Sequence, residues 1–246
     1  MKIDHPTLSE LPALRQLWQQ TFGDSDAYLN LFFSLAFAPE RSMCIRADGQ
    51  IQAAAYWLDC KICQRKAAYI YAVATDVANR GKGYCRALMD AIARHLKETG
   101  YCGSILVPGD DGLREMYRRM GYDDFGGIRE FTCTATEDGI TLERITKEEF
   151  ALLRRQYLPQ NAVIQEGESL ALLDALAEFY RGSDFLLVFS DGRIPELLGN
   201  TEKAPAIVKA LNLSEAVIRT SGDTAFAMYR PLEKNAMPEY FAFAFD

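Results

Sequence analysis

Residues 67–75, Ala-Ala-Tyr-Ile-Tyr-Ala-Val-Ala-Thr, contain no charged side chain, and a turn rich in glycine and cations follows them, Asn79-Arg80-Gly81-Lys82-Gly83. A nearly continuous apolar strand belongs inside a sheet covered on both faces, so this run predicts an α/β architecture. The residues after the turn, Tyr84 to Glu98, read as a helix stopped by Gly100. A strand that feeds such a turn into a helix start presents backbone N–H groups and their aligned dipoles, a site for phosphate oxygens. Gly81 and Gly83 let the main chain approach an anion where a Cβ would intrude. Arg80, Lys82 and Arg86 supply charge-assisted hydrogen bonds.

The rest of the first half alternates helices and strands. Residues 8–20 place apolar side chains at Leu8, Leu11, Leu14, Leu17 and Trp18, a helical period, and residues 27–37 form a second, mostly apolar helix. Strands at 42–46 and 51–58 flank Ala47-Asp48-Gly49-Gln50, a strong hairpin signal. A short strand at 102–107, a helix from about Asp111 to Met120 and strand-like residues to Thr134 follow. The polar segment 135–139 marks a boundary, which divides the chain into residues 1–134 and a smaller α/β unit of similar plan, residues 135–246, without a glycine loop. In that second unit, 142–158 reads as a strand entering a helix, 170–180 and 195–211 as helices, and 185–190, 216–220, 224–229 and 239–245 as strands.

Several function classes drop out. The glycine turn is neither GxxxxGK[ST] nor GxGxxG, so it is not a nucleotide P-loop or a dinucleotide fingerprint, and a nucleotide phosphotransferase is disfavoured. The 246 residues hold 27 Lys and Arg against 34 Asp and Glu, a formal charge of −7. Residues 1–134 are balanced at 16 of each sign, so the acidic excess falls entirely in residues 135–246. A nucleic acid would require a basic face, whereas a cationic small molecule suits this balance. The longest uncharged apolar stretch, 27–39, is shorter than the roughly 20 residues a membrane helix needs. The first residues lack the apolar core of a secretory signal, so the expected location is the cytoplasm, with the six cysteines as free thiols. Cys60 and Cys63 form a CxxC with no second pair or nearby His to complete a zinc site, and no metal is expected.

The segment Arg80-Gly81-Lys82-Gly83-Tyr84-Cys85 matches the acyl-CoA loop pattern R/Q-x-x-G-x-G/A, and residues 1–134 follow it in the right element order. Here the sequence resembles the GNAT (GCN5-related) N-acetyltransferase family. The resemblance implies the GNAT mixed sheet with flanking helices, followed by a smaller GNAT-like α/β domain. It also implies acetyl-CoA as co-substrate, held by Val73, Ala74 and Thr75 at the strand end and by residues 80–86. Backbone amides at Val73 and Thr75 would polarise the thioester carbonyl. The pattern departs at its last position, where Cys85 replaces the usual Gly or Ala.

A second match is residues 110–122, Asp-Asp-Gly-Leu-Arg-Glu-Met-Tyr-Arg-Arg-Met-Gly-Tyr, which resembles the family's second cofactor helix. The likeness makes Tyr117 the general acid that protonates the departing CoA thiolate, against the plainer reading of a ring packed on the sheet. His5 and His95 are poor general bases, the one near the chain start and the other late in a helix. Two-domain relatives that acetylate aminoglycosides suggest the terminal carboxylate or side chain of Asp246 as a proton acceptor, against a core strand that simply stops. Cys85, at a helix start beside cations, would have a lowered pKa and be open to acylation, although a small residue filling a tight turn is the simpler reading. The expected activity is acetyl transfer from acetyl-CoA to a primary amine of a cationic small molecule or peptide, with neither nucleic acid nor membrane as partner. The alternative is a non-catalytic acyl-CoA binding or sensing module.

Overall fold

The computed structural model describes residues 1–234 and 237–243, which form two compact units. The first comprises Met1–Asp123, Gln165–Leu172 and a segment beginning at Met228. Its elements are β1 (Lys2–Asp4), α1 (Leu11–Phe22), α2 (Asp26–Leu35), β2 (Ser42–Ala47), β3 (Gln50–Ile62), β4 (Arg65–Thr75), α3 (Tyr84–Glu98), β5 (Gly103–Leu106) and α4 (Asp111–Arg118). The strands lie in the order β1-β2-β3-β4-β5, antiparallel except for the parallel β4–β5 pair. The β2–β3 hairpin turns at Asp48 (φ 53°) and Gly49 (φ 76°), the left-handed conformation that favours Asp-Gly in two-residue turns.

Alternation along β3 sends its side chains to two cores. Ala53, Ala55 and Trp57 join Ile70 of β4 and the apolar stripe of α3, Leu88, Met89, Ile92 and Leu96. On the other face Trp18 of α1 packs against Phe32 of α2 and Tyr56, with ring centroids 4.6 and 5.1 Å apart. The Trp18 indole N–H donates to Asp24 at 2.7 Å, so this buried ring keeps its hydrogen bond.

The second unit comprises Asp124–Ile164, Leu173–Ala227 and a segment that includes residues 237–243. Continuing along the chain, the elements are β6 (Asp123–Thr134), β7 (Glu143–Ile145), α5 (Lys147–Tyr157), β8 (Val163–Gln165), α6 (Gly167–Leu176), β9 (Glu178–Arg181), β10 (Phe185–Ser190), β11 (Arg193–Gly199), α7 (Ala204–Ala210), β12 (Glu215–Ser221) and β13 (Thr224–Pro231). Its strands follow the order β6-β12-β11-β10-β9-β7. The later residues of β13, Met228 to Pro231, belong to the first unit and pair antiparallel with β5. Gly103 is required there, because an added Cβ would lie 2.2 Å from the Tyr229 ring.

Three sequence expectations fail in the second unit. The helix expected over 170–180 ends at Leu176, and Phe179 and Tyr180 pair with Val188 and Leu187 of β10 instead. Stacking of Phe179 on Phe150 at 4.3 Å rewards the extended form. The helix expected over 195–211 divides into β11 and α7, because Asp191 (φ 49°) and Gly192 (φ 76°) close a hairpin between β10 and β11. Of the strand expected over 239–245, residues 239–243 form no regular strand, though residues 240–243 are buried. Buried Glu196 takes two bonds from Arg154 (2.7 and 2.9 Å) and one from the Tyr240 hydroxyl (3.0 Å), and the Arg154 guanidinium lies 4.6 Å from the Phe243 ring centre.

Candidate active site

The site grows from an ordinary alanine in an unusual conformation. β3 and β4 pair as Ala54↔Ala74 and Tyr56↔Tyr71, so β4 holds one extra residue between those pairs, and Ala72 there has φ 49°. Such a bulge bends the strand, at the cost of placing an L-residue in left-handed space. On its other side, β4 pairs with β5 only at Ala68↔Ser104 and Tyr69↔Ile105. β4 continues to Thr75 while β5 ends at Leu106. The ladder between the two parallel strands therefore stops before the end of β4, which runs on past it to Thr75. Ala74 is buried, while Val73 packs partly against the α3 and α4 side of the core.

Asp76 ends the strand by accepting the Ala78 N–H at 3.0 Å and capping a short 3-10 turn, Val77–Asn79. Gly81 (φ 75°) and Gly83 (φ 82°) then reverse the chain into α3. An added Cβ at either glycine meets no protein atom within 4 Å, so their necessity is conformational, and the space beside them is open. Gly83 is the N-cap and supplies no side-chain cap. The first helical bond runs from the Ala87 N–H to the Gly83 carbonyl, which leaves the amides of Tyr84, Cys85 and Arg86 at the positive end of α3 without intrahelical acceptors.

The three loop cations rest on neutral oxygens. Arg80 donates to the Thr75 carbonyl (3.3 Å), Lys82 to the Asn79 carboxamide oxygen (2.8 Å) and Arg86 to the Arg119 carbonyl (3.3 Å). Among the described residues no carboxylate neutralises any of the three, so their charge remains available to an anion.

Tyr117 comes to this region from α4. Asp110 caps that helix through the Leu113 N–H (2.7 Å), and Gly121 (φ 86°) turns the chain back so that the Tyr122 N–H reaches the Tyr117 carbonyl (3.2 Å). Tyr117 is 6% exposed and shares one core cluster with Val73, Tyr84 and Cys85. Burial holds its phenol well above the ordinary tyrosine value, with the Cys85 and Tyr122 side chains adding to the shift. The phenol is therefore protonated at neutral pH, the state a proton donor needs. Tyr122, whose hydroxyl meets the Ser104 hydroxyl at 2.8 Å, is pushed up to about 12 by burial.

A sequence profile of the acetyltransferase (GNAT) domain matches residues 2–124, half of the chain. The chain belongs to the GNAT acetyltransferase family, and it is an acyltransferase. The GCN5-related N-acetyltransferase of Kribbella flavida has a similar fold, at TM-score 0.72 and 19% identity, over 94% of this chain and 70% of that one. The corresponding protein of Anabaena variabilis aligns at TM-score 0.70 and 17% identity, over 94% and 73% of the two chains. No curated protein sequence matches the chain.

Within the GNAT framework, the structure gathers residues 73–75 and 80–86 at one strand end and helix start and brings Tyr117 into the same cluster. Cys85 corrects the sequence reading. Burial pushes its thiol above the ordinary value, and the neighbouring Arg86 only partly offsets this, the opposite of the lowering expected at a helix start beside cations. Asp246 lies outside the described residues. His5 is engaged through Nδ1 with the Pro39 and Ser42 carbonyls, and its ring meets His95 edge-on at 4.8 Å. The bulge at Ala72 escaped sequence reasoning, since nothing in Tyr-Ala-Val signals it. Gln52 and Asn79, which brace the loop, also escaped, since their roles depend on pairing between distant residues.

Proposed function

We propose that the protein transfers an acetyl group from acetyl-CoA directly to a primary amine of a cationic small molecule or peptide. The observation that carries this reading is the α3 N-terminus, with uncapped amides and three cations free of carboxylates, after a strand that runs on past its pairing with β5. The diphosphate of CoA suits the amides of residues 81–86, and its pantetheine arm, an alternation of amide donors and acceptors, suits the β4 edge. The amides of Val73 and Thr75 then polarise the thioester carbonyl and stabilise the oxyanion.

The amine nitrogen attacks the acyl carbon, a tetrahedral intermediate forms, and the C–S bond breaks as the Tyr117 hydroxyl gives its proton to the sulfur. Tyr117 recovers a proton from solvent. The amine must shed a proton before or during attack, and Asp246, outside the described residues, is the candidate acceptor that the sequence supplies, against a core strand that simply stops. These site residues, Asp246 excepted, fall within residues 1–134, and residues 135–246, with their acidic excess, favour a cationic acceptor.

Calorimetry with acetyl-CoA, followed by CoA release with a panel of primary amines, tests the proposal. Saturable binding and amine-dependent release are expected. Binding without release from any amine makes the protein an acyl-CoA sensing module, and absence of binding removes the reading altogether. Deleting residues 245 and 246 and finding unchanged turnover in a stable protein removes Asp246. A substrate KM indifferent to ionic strength refutes the electrostatic attraction.

A further inference from the structure

A line of hydrogen bonds runs from the β2–β3 hairpin to the cofactor loop. The Gln52 carboxamide donates through Nε2 to the Ala47 carbonyl at 3.3 Å and accepts through Oε1 from Asn79 Nδ2. Asn79 Nδ2 also donates to Asp76 Oδ1 at 3.0 Å, and Asn79 Oδ1 accepts from Lys82 Nζ at 2.8 Å. The Gln52 backbone carbonyl receives the Asp76 N–H at 2.9 Å, so strand and loop are joined twice. We infer that Gln52 and Asn79 are positioning residues that hold the Lys82 ammonium ready for the diphosphate of CoA, an inference that rests on the cofactor reading proposed above.

The direction of the chain is determined at every link. Asn79 faces two acceptors with its NH₂ and one cationic donor with its oxygen, and a flipped carboxamide would set acceptor against acceptor at Asp76 and donor against donor at Lys82. Gln52 is oriented likewise by the Ala47 carbonyl, and at 9% exposure it is shielded from competing water. The line therefore has one arrangement and ends on an ammonium.

The chemistry of that ending favours a role in binding over simple bracing. A carboxamide oxygen restrains Lys82 without cancelling its charge, whereas a carboxylate would do both. An ammonium has three N–H donors, so the bond to Asn79 leaves two for phosphate oxygens. Lysine is otherwise a flexible cation that loses side-chain entropy when it is fixed on a ligand. Tethering it beforehand reduces that loss, and with it the dissociation constant.

The test compares CoA with pantetheine, which lacks the diphosphate, by calorimetry and competition. Asn79→Ala is expected to raise the Kd for CoA about fivefold and to leave that for pantetheine within about twofold. Gln52→Leu shifts CoA in the same direction by less, and Asn79→Asp weakens CoA more than Asn79→Ala, through repulsion and neutralisation. In a Lys82→Ala background, Asn79→Ala adds less than about twofold, because its effect passes through the ammonium. Thermal unfolding of each variant monitors the fold. An unchanged CoA affinity in Asn79→Ala, equal weakening of CoA and pantetheine, or a full effect of Asn79→Ala without Lys82 overturns the inference while leaving the cofactor reading intact. Failure of the wild-type protein to bind CoA overturns both.

Discussion

Replacing Tyr117 by Phe removes one hydroxyl and leaves a ring of the same shape in a site only 6% exposed. The ring contacts are retained, including the edge-to-face packing on Tyr122 at 5.9 Å, so stability should change by less than about 1 kcal/mol. The effect on turnover should be much larger. General acids contribute 10²- to 10⁴-fold, and a thiolate, a better leaving group than an alkoxide or an amide nitrogen, requires protonation less; the lower end, about 100-fold or 2.7 kcal/mol on the barrier, is expected. The loss should fall on kcat, with acetyl-CoA affinity unchanged. Burial also predicts the pH behaviour. A phenol held above its ordinary value of 10.0 keeps its proton throughout the accessible alkaline range, so the wild-type rate should not fall between pH 8 and about 10 through loss of the acid. Thiol release followed from pH 6 to 10, alongside urea denaturation of both proteins, measures all of this. A Tyr117→Phe enzyme within threefold of wild-type kcat refutes the assignment. So does a loss of turnover matched by an unfolding defect, since the ring would then serve packing alone.

Gly83→Ala forces an L-residue to φ 82° in a place where its Cβ meets no protein atom, so stability should fall by about 1–2 kcal/mol from backbone strain alone, and CoA affinity should fall with it. Urea denaturation and calorimetry separate the two effects. Glu196→Gln leaves Arg154 buried without its counter-charge and should cost about 3–5 kcal/mol in chemical denaturation, whereas an apolar replacement of both partners should cost less. A larger loss in the double variant contradicts this account. Glu10, gripped by Arg46 at 2.6 and 2.7 Å, has its carboxyl lowered from 4.5 to about 2. Its stabilisation is therefore complete above pH 4.5 and disappears as the pH falls toward 2, because the unfolded state binds the proton more tightly. The drop in Tm from pH 6 to 3 should be smaller in Glu10→Gln, and an equal drop would exclude the pair as a source of acid sensitivity.

The parts of the fold that were legible in the sequence are those governed by local chemistry. Asp48-Gly49 announces its hairpin because two consecutive residues at positive φ have few occupants. The same dipeptide at Asp191-Gly192 makes the same turn, yet Pro195 soon after it, read as a helix start, masked the signal. Where the answer depends on a distant partner, the sequence is nearly silent. Phe179 and Tyr180 continue a helical period but pair with β10, because Phe150 offers a ring to stack on. Ala72 belongs to this second kind, since its bulge reflects the registers of β3 and β5 on either side of it.

The same distinction explains why sequence can propose a cofactor loop and is nearly silent on the acceptor half of the site. Anchoring a diphosphate requires free amides, two residues at positive φ and nearby cations, which chain geometry places within seven consecutive residues, 80–86. Sequence alone can show such a cluster. Acceptance of an amine calls for a base and a shaped surface whose members share nothing along the chain, and how far β4 runs on past its pairing depends on where β5 stops. A GNAT chain can therefore alter its acceptor residues without disturbing the loop that marks its family, and identification of the substrate must begin from the surface facing Val73 and Tyr117, not from the motif at Gly81 and Gly83.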